Sequence, residues 1–97
     1  MTLVTRINDD VMTIQLGKKF DFDYISEFRD AYIEAAAKAY IVDFRDTEYM
    51  DSSGLGMLLN MRRHLGGDGV SIKLVNCRPQ VKKVLLISRF ETKFNIG

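Results

Sequence analysis

"YMDSSGLGMLL", residues 49–59, joins the end of an extended segment to the start of an apolar helix. Ser52 and Ser53 sit at the junction, behind Asp51 and ahead of Gly54 and Gly56. A helix start needs one short polar side chain to cap its free N–H groups. The surplus leaves three uses: a cap, a catalytic nucleophile, or a place where charge is added and removed. The flanking sequence decides among them.

Upstream, "TLVTRINDDVMTIQLG" reads as two short strands around a turn. Leu3, Thr5 and Ile7 alternate with Val4 and Arg6, then Met12, Ile14 and Leu16 with Thr13 and Gln15. Asn8-Asp9-Asp10 between them is turn chemistry, so a hairpin is expected. Residues 23–39 read as a helix. Ile25, Phe28, Tyr32 and Ala35 fall on one face, Asp23 is placed to cap, and Glu27 and Asp30 put negative charge toward the N-terminal end. The alanines add helix propensity. "YIVDFR", 40–45, is β-branched and aromatic and reads as a buried strand.

Downstream, residues 52–65 form the second helix, with Leu55, Leu58, Leu59 and Leu65 on one face. "GGDG", 66–69, ends it. The tetrad superficially resembles the signature of cyclic-dinucleotide synthases, but the chain is far too short for that enzyme. "VSIKLVN", 70–76, is a further strand. Pro79 fits the first turn of a third helix, with Val81, Val84, Leu85 and Ser88 on one side. "KFNI", 93–96, is a last short strand. The order ββαβαβαβ predicts an α/β fold on a mixed, mainly parallel sheet with right-handed crossovers. In such folds, function gathers near the carboxyl ends of the parallel strands. Asp51-Ser52-Ser53 lies there.

The 97 residues are expected to form one domain, 1–97. With 46% hydrophobic and 28% charged residues the composition is that of a soluble globular protein. A net charge of +1 gives no global electrostatic case for nucleic acid, and Lys82, Lys83 and Arg89 read as a solvated helix face. One cysteine, Cys77, and one histidine, His64, exclude an intrachain disulfide and make no His/Cys metal site. Neither a signal peptide nor a span-length apolar run is present in the sequence. A cytoplasmic protein with no membrane partner, no metal and no cofactor is expected. Cys77 reads as a buried small hydrophobe, and His64 as a partner for the carbonyls at its own helix end. Asp43 and Asp46 read as capping or solvated carboxylates.

A serine nucleophile needs a base. His64 lies twelve helical residues from Ser52, roughly 18 Å at 1.5 Å per residue, so it is out of reach. The segment also lacks the glycine spacing and lysine of a phosphate-binding loop. A phosphorylation site fits the chemistry. A helix N-terminus tolerates a covalent phosphate, which adds about −1.5 to −2 charges.

The strand-"YMDSSGLGMLL"-helix unit, in a ββαβαβαβ chain of this size, resembles the anti-sigma factor antagonists. These are single-domain members of the sulfate transporter and anti-sigma factor antagonist (STAS) family. "GKKFDFDYISEFRDAY", with Phe20-Asp21-Phe22, is similar to the loop before that family's first helix. The resemblance implies a partner switch without catalysis. The unphosphorylated form binds an anti-sigma factor that is often a serine kinase. Phosphorylation of the first motif serine, here Ser52, releases it, and a serine phosphatase restores it. A STAS adaptor subunit regulating a membrane transporter's ATPase is the alternative.

On this reading Asp51 orients the Ser52 hydroxyl or caps the helix, and Ser53 caps through its hydroxyl. Gly54 and Gly56 keep the first turn bare for a partner's backbone. Met57 and Met61, off the leucine stripe, belong to the docking face or to the core. Asp21 faces the same end of the sheet. The oligomeric state is left open.

Overall fold

The computed structural model describes residues 3–33 and 35–97, the side chain of Asp68 apart. Strand β1 (Val4–Asn8) pairs antiparallel with β2 (Val11–Gln15). Their two-residue turn, Asp9-Asp10, takes positive φ at both positions, 54° and 63°. That is the turn whose twist matches paired strands, and Asp tolerates it.

Helix α1 (Ile25–Tyr32), strand β4 (Ala39–Asp43), helix α2 (Ser52–His64), strand β6 (Ser71–Val75), helix α3 (Pro79–Ile87) and strand β7 (Asn95–Ile96) follow. Two further strands, β3 (Lys19–Phe20) and β5 (Tyr49–Met50), form a small parallel pair of their own. The main sheet runs β1-β2-β4-β6-β7, parallel except for the hairpin. The mixed, mainly parallel sheet expected from the sequence is what the chain forms.

Each crossover steps one strand in the same direction across the sheet. Right-handed crossovers in one direction put all three helices on one face. Burial agrees. Met12, Ile14, Tyr40, Val42, Ile72 and Leu74 are buried on one side of the sheet, while Thr13, Ile41 and Lys73 on the other are half-buried or exposed.

Helix α1 is shorter than expected. It ends at Tyr32, and residues 35–37 are not helical despite their alanines. The expectation for Glu34 lies outside the described residues. The chain has to return to the sheet at Ala39, and tertiary bonds outweigh propensity. The Tyr40 hydroxyl donates to the Ala35 carbonyl and accepts from the Ala37 N–H, both at 3.3 Å. The Asp10 carbonyl accepts from Lys38 N at 2.8 Å. Asp23 is not the cap either. Asp21 caps a 3-10 turn at Phe22–Tyr24, and α1 starts behind Tyr24 without a side-chain cap. Ile25, expected on the core face, is 48% exposed.

Candidate functional site

Phe20 sets the geometry around the motif. Its ring packs edge-on to Phe28 of α1 at 4.9 Å and to Phe44 at 6.1 Å, and all three are fully buried. Its partner in the β3–β5 pair is Met50. The two strands therefore leave the pair together, one into Asp21 and the other into Asp51. Both aspartates adopt extended backbone and cap the helical turn that follows. Asp21 comes to the same end as the motif, as expected, but as a buried cap accepting from Asp23 N at 3.1 Å.

At the motif, one Asp51 oxygen accepts from Ser53 N at 2.9 Å and from Gly54 N at 3.4 Å. Of the two roles open to Asp51, the structure shows the cap. The expected Ser53 cap is corrected: Ser53 contributes its N–H, and among the described residues neither serine hydroxyl makes a side-chain hydrogen bond. Ser52 is the first helical residue and is exposed. Asp51→Ala should cost about 0.5–2 kcal/mol, the usual loss for a removed cap. A denaturant titration checks this, and an unchanged midpoint would show that water replaces the carboxylate.

The glycines divide. Gly54 is buried, and a Cβ there would lie 2.6 Å from Met50 Cγ, 2.8 Å from the Phe20 carbonyl oxygen and 2.9 Å from Phe20 Cδ2. It is glycine so that α2 can sit on β3 and β5, which corrects its assignment to a partner's backbone. A Cβ on Gly56 would meet nothing within 4 Å.

The methionines are core. Met61 is fully buried and Met57 is 5% exposed. Of the two places open to them, the docking face is corrected to the core. The buried stripe of α2 is Gly54, Met57, Leu58 and Met61, while Leu55, Leu59 and Leu65 are half-buried at its flank. Met57 reaches only the floor of a groove of about 320 Å³ between α1 and α2, beside Ile25, Phe28, Tyr32 and Asn60. The large apolar side chains left exposed at this end are Phe22 at 64%, Ile25, and Tyr49 at 54%. Sequence reasoning missed all three as surface residues. Phe22 carried a signal, an aromatic isolated between aspartates in a loop.

Lys19 bonds Asp23 at 3.0 Å and lies 3.7 Å from Asp21. The Asp23 hydrogen bond first, and then the Asp21 charge, hold its ammonium above the ordinary lysine value. His64 does not serve its own helix end; its Nε2 meets the Ile33 carbonyl beyond α1 at 3.2 Å. Asp43 is buried, accepting from Arg45 N and Asn76 Nδ2 at 2.9 Å each, and Asp46 accepts from Gln15 at 3.0 Å. Cys77 is half-buried, and burial pushes its thiol up to about 11. Among the described residues no three His, Cys, Asp or Glu side chains group to hold a metal, and no helix is long and apolar enough to cross a membrane.

A family model described as "Mlab, STAS domain" matches residues 3–96. A STAS-domain containing protein of Pseudomonas aeruginosa (strain UCBPP-PA14) is 45% identical over 99 residues, spanning 100% of this chain and 98% of that one. Among solved structures, an anti-sigma factor antagonist from Mycobacterium paratuberculosis superposes with a TM-score of 0.81 at 17% identity, over 98% of this chain and 83% of the other. The Bacillus cell fate determinant SpoIIAA also matches. Its unphosphorylated form gives 0.75 at 23% identity, over 99% of this chain and 87% of that one. Its phosphorylated form gives 0.66 at 20%, over 99% and 91%.

Proposed function

We propose, for a chain that belongs to the STAS domain family, the role of an anti-sigma factor antagonist switched by phosphorylation of Ser52. Residues 1–97 act as one domain in the cytoplasm, as substrate and ligand and not as catalyst. The partners are an anti-sigma factor with serine kinase activity and a serine phosphatase. The observation that carries the reading is the state of Ser52. Ser52 is exposed at the first position of α2 and its hydroxyl is unengaged among the described residues, while Asp51 already holds the N–H groups of Ser53 and Gly54.

That arrangement supports a switch without unfolding. A kinase can reach the hydroxyl without breaking a hydrogen bond. The phosphate finds the nearest two N–H groups taken, so it projects outward, at the exposed first position of α2; Phe22, Ile25 and Tyr49 are large apolar side chains also left exposed. Exposed aromatic and aliphatic side chains suit a protein interface. Solved relatives carry the names of anti-sigma factor antagonists, and one of them was solved in phosphorylated form.

The test is to incubate the protein with its cognate kinase and ATP and map the site by fragmentation. Phosphate on Ser52, absent from Ser52→Ala, is the expected result. Modification of Ser53 or of another residue, with Ser52 untouched, sinks the assignment. The adaptor reading keeps the docking surface and needs no kinase. Co-purification with a transporter ATPase, with no phosphate detected by intact mass, would select it.

A further inference from the structure

Residues 78–93 hold five of the chain's cations, Arg78, Lys82, Lys83, Arg89 and Lys93, and one of its acids, Glu91. The stretch is four charges positive and the rest of the chain three negative, so the net +1 conceals a strong separation. Helix α3 buries Val81 and Leu85 against the core. Its opposite face presents Lys82 and Lys83 and then, one turn on, Leu86 and Ile87, which are 43% and 71% exposed. Arg89 and Lys93, both exposed residues, follow just past the helix. Among the described residues none of Lys82, Lys83, Arg89 and Lys93 is in an ion pair.

We propose that the outer face of α3 adsorbs to anionic lipid bilayers, with Leu86 and Ile87 entering the headgroup region and the lysines and Arg89 on the lipid charges. Two apolar tips bracketed by cations match a surface that is anionic outside and apolar just beneath. Lysine stems reach along the apolar tips while their ammonium groups stay at headgroup level. Nucleic acid offers the charge but nothing for the exposed leucine and isoleucine. A protein interface is poor in lysine and rich in aromatics, and this face is the reverse. The expectation of no membrane partner rested on the lack of a spanning segment, which does not bear on surface adsorption. This inference is independent of Ser52 and stands if phosphorylation fails.

The full chain is sedimented with vesicles of phosphatidylcholine alone and of phosphatidylcholine mixed with phosphatidylglycerol. Binding to the mixed vesicles only, lost at high salt, is expected. Each lysine near such a surface is worth about fivefold in partitioning, so Lys82→Gln/Lys83→Gln should bind roughly 25-fold more weakly. An equal loss of charge elsewhere, Lys38→Gln/Lys73→Gln, should bind like wild type. The chain has no tryptophan; Ile87→Trp therefore reports insertion, and its emission should shift to the blue on the mixed vesicles. Several results overturn the proposal: no vesicle binding at low salt, equal losses from the two double substitutions, or an unshifted tryptophan. Binding to duplex DNA or to polyglutamate as tight as to vesicles does so too, and assigns the face to another macromolecule.

Discussion

Gly54→Ala should lower the thermal midpoint, and Gly56→Ala, two residues on, should raise it. Both glycines lie in the first turns of α2, where alanine is favoured over glycine by about 0.5–1 kcal/mol. Space separates them. At Gly54 a methyl group would overlap the Phe20 carbonyl oxygen at 2.8 Å and Met50 Cγ at 2.6 Å. The first is backbone and the second belongs to a buried side chain, so neither yields cheaply. The first turn of α2 would have to lift off β3 and β5.

Overpacking of that kind costs about 1–3 kcal/mol, more than propensity returns. For a domain of this size each kcal/mol moves the midpoint by about 4–8 °C. Gly54→Val, with two more methyl groups in the same place, should lose more than Gly54→Ala. Gly56→Ala meets nothing within 4 Å and keeps only the gain. Melting curves by circular dichroism decide it. If Gly54→Ala melts with wild type, or Gly56→Ala is the more damaging, the contact with β3 is not holding α2. The pair also separates fold from docking. A partner that approaches Gly56 closely will reject Gly56→Ala even though that variant is the more stable.

Much of this arrangement was legible in the sequence. The hairpin followed from Asn8-Asp9-Asp10 between alternating runs, α3 from Pro79, and the parallel sheet from the order of elements. What escaped had physical reasons. Two-residue strands have no periodicity, so β3 and β5 left no pattern, although they set the end of the sheet where the motif sits. Helix α2 has two overlapping apolar stripes that share Leu58, one with Leu55, Leu59 and Leu65 and one with Gly54, Met57 and Met61. Hydrophobicity favours the leucines. Proximity decides otherwise, because only a stripe that begins with glycine lets the helix rest on the Phe20 carbonyl. The alanines before β4 promised helix, but the bonds of Tyr40 and Asp10 hold that segment out of it. The serine motif itself was readable by position and composition. Which N–H groups remain free beside Ser52 was not, because that depends on where the Asp51 carboxylate points.

On the proposed switch, Ser52→Asp should cost the proposed anti-sigma partner at least tenfold in affinity while leaving the helix content unchanged, and a homogeneous phospho-Ser52 protein should lose more. Two features of the fold argue that the domain survives. Ser52 is exposed and, among the described residues, its hydroxyl makes no hydrogen bond. A negative charge in the first turn interacts favourably with the helix dipole, by about 0.3–1 kcal/mol at an exposed site. The Asp51 carboxylate, already seated on the nearest N–H groups, offsets part of that gain by repulsion. The result is a charge that neither strains the helix nor finds a partner within it. The docking protein must then desolvate it or stay away. An unpaired charge buried at an interface costs several kcal/mol, and 1.4 kcal/mol already corresponds to tenfold. Circular dichroism and a binding titration on the same sample test both halves. If helicity falls in step with affinity, the switch is local unfolding and the outward phosphate is the wrong picture. Should Ser52→Asp and phospho-Ser52 both bind like wild type, Ser52 lies outside the interface. Asp51→Ala adds a further control: with the cap removed, the phosphate can turn back onto the freed N–H groups of Ser53 and Gly54, and its effect on binding should shrink.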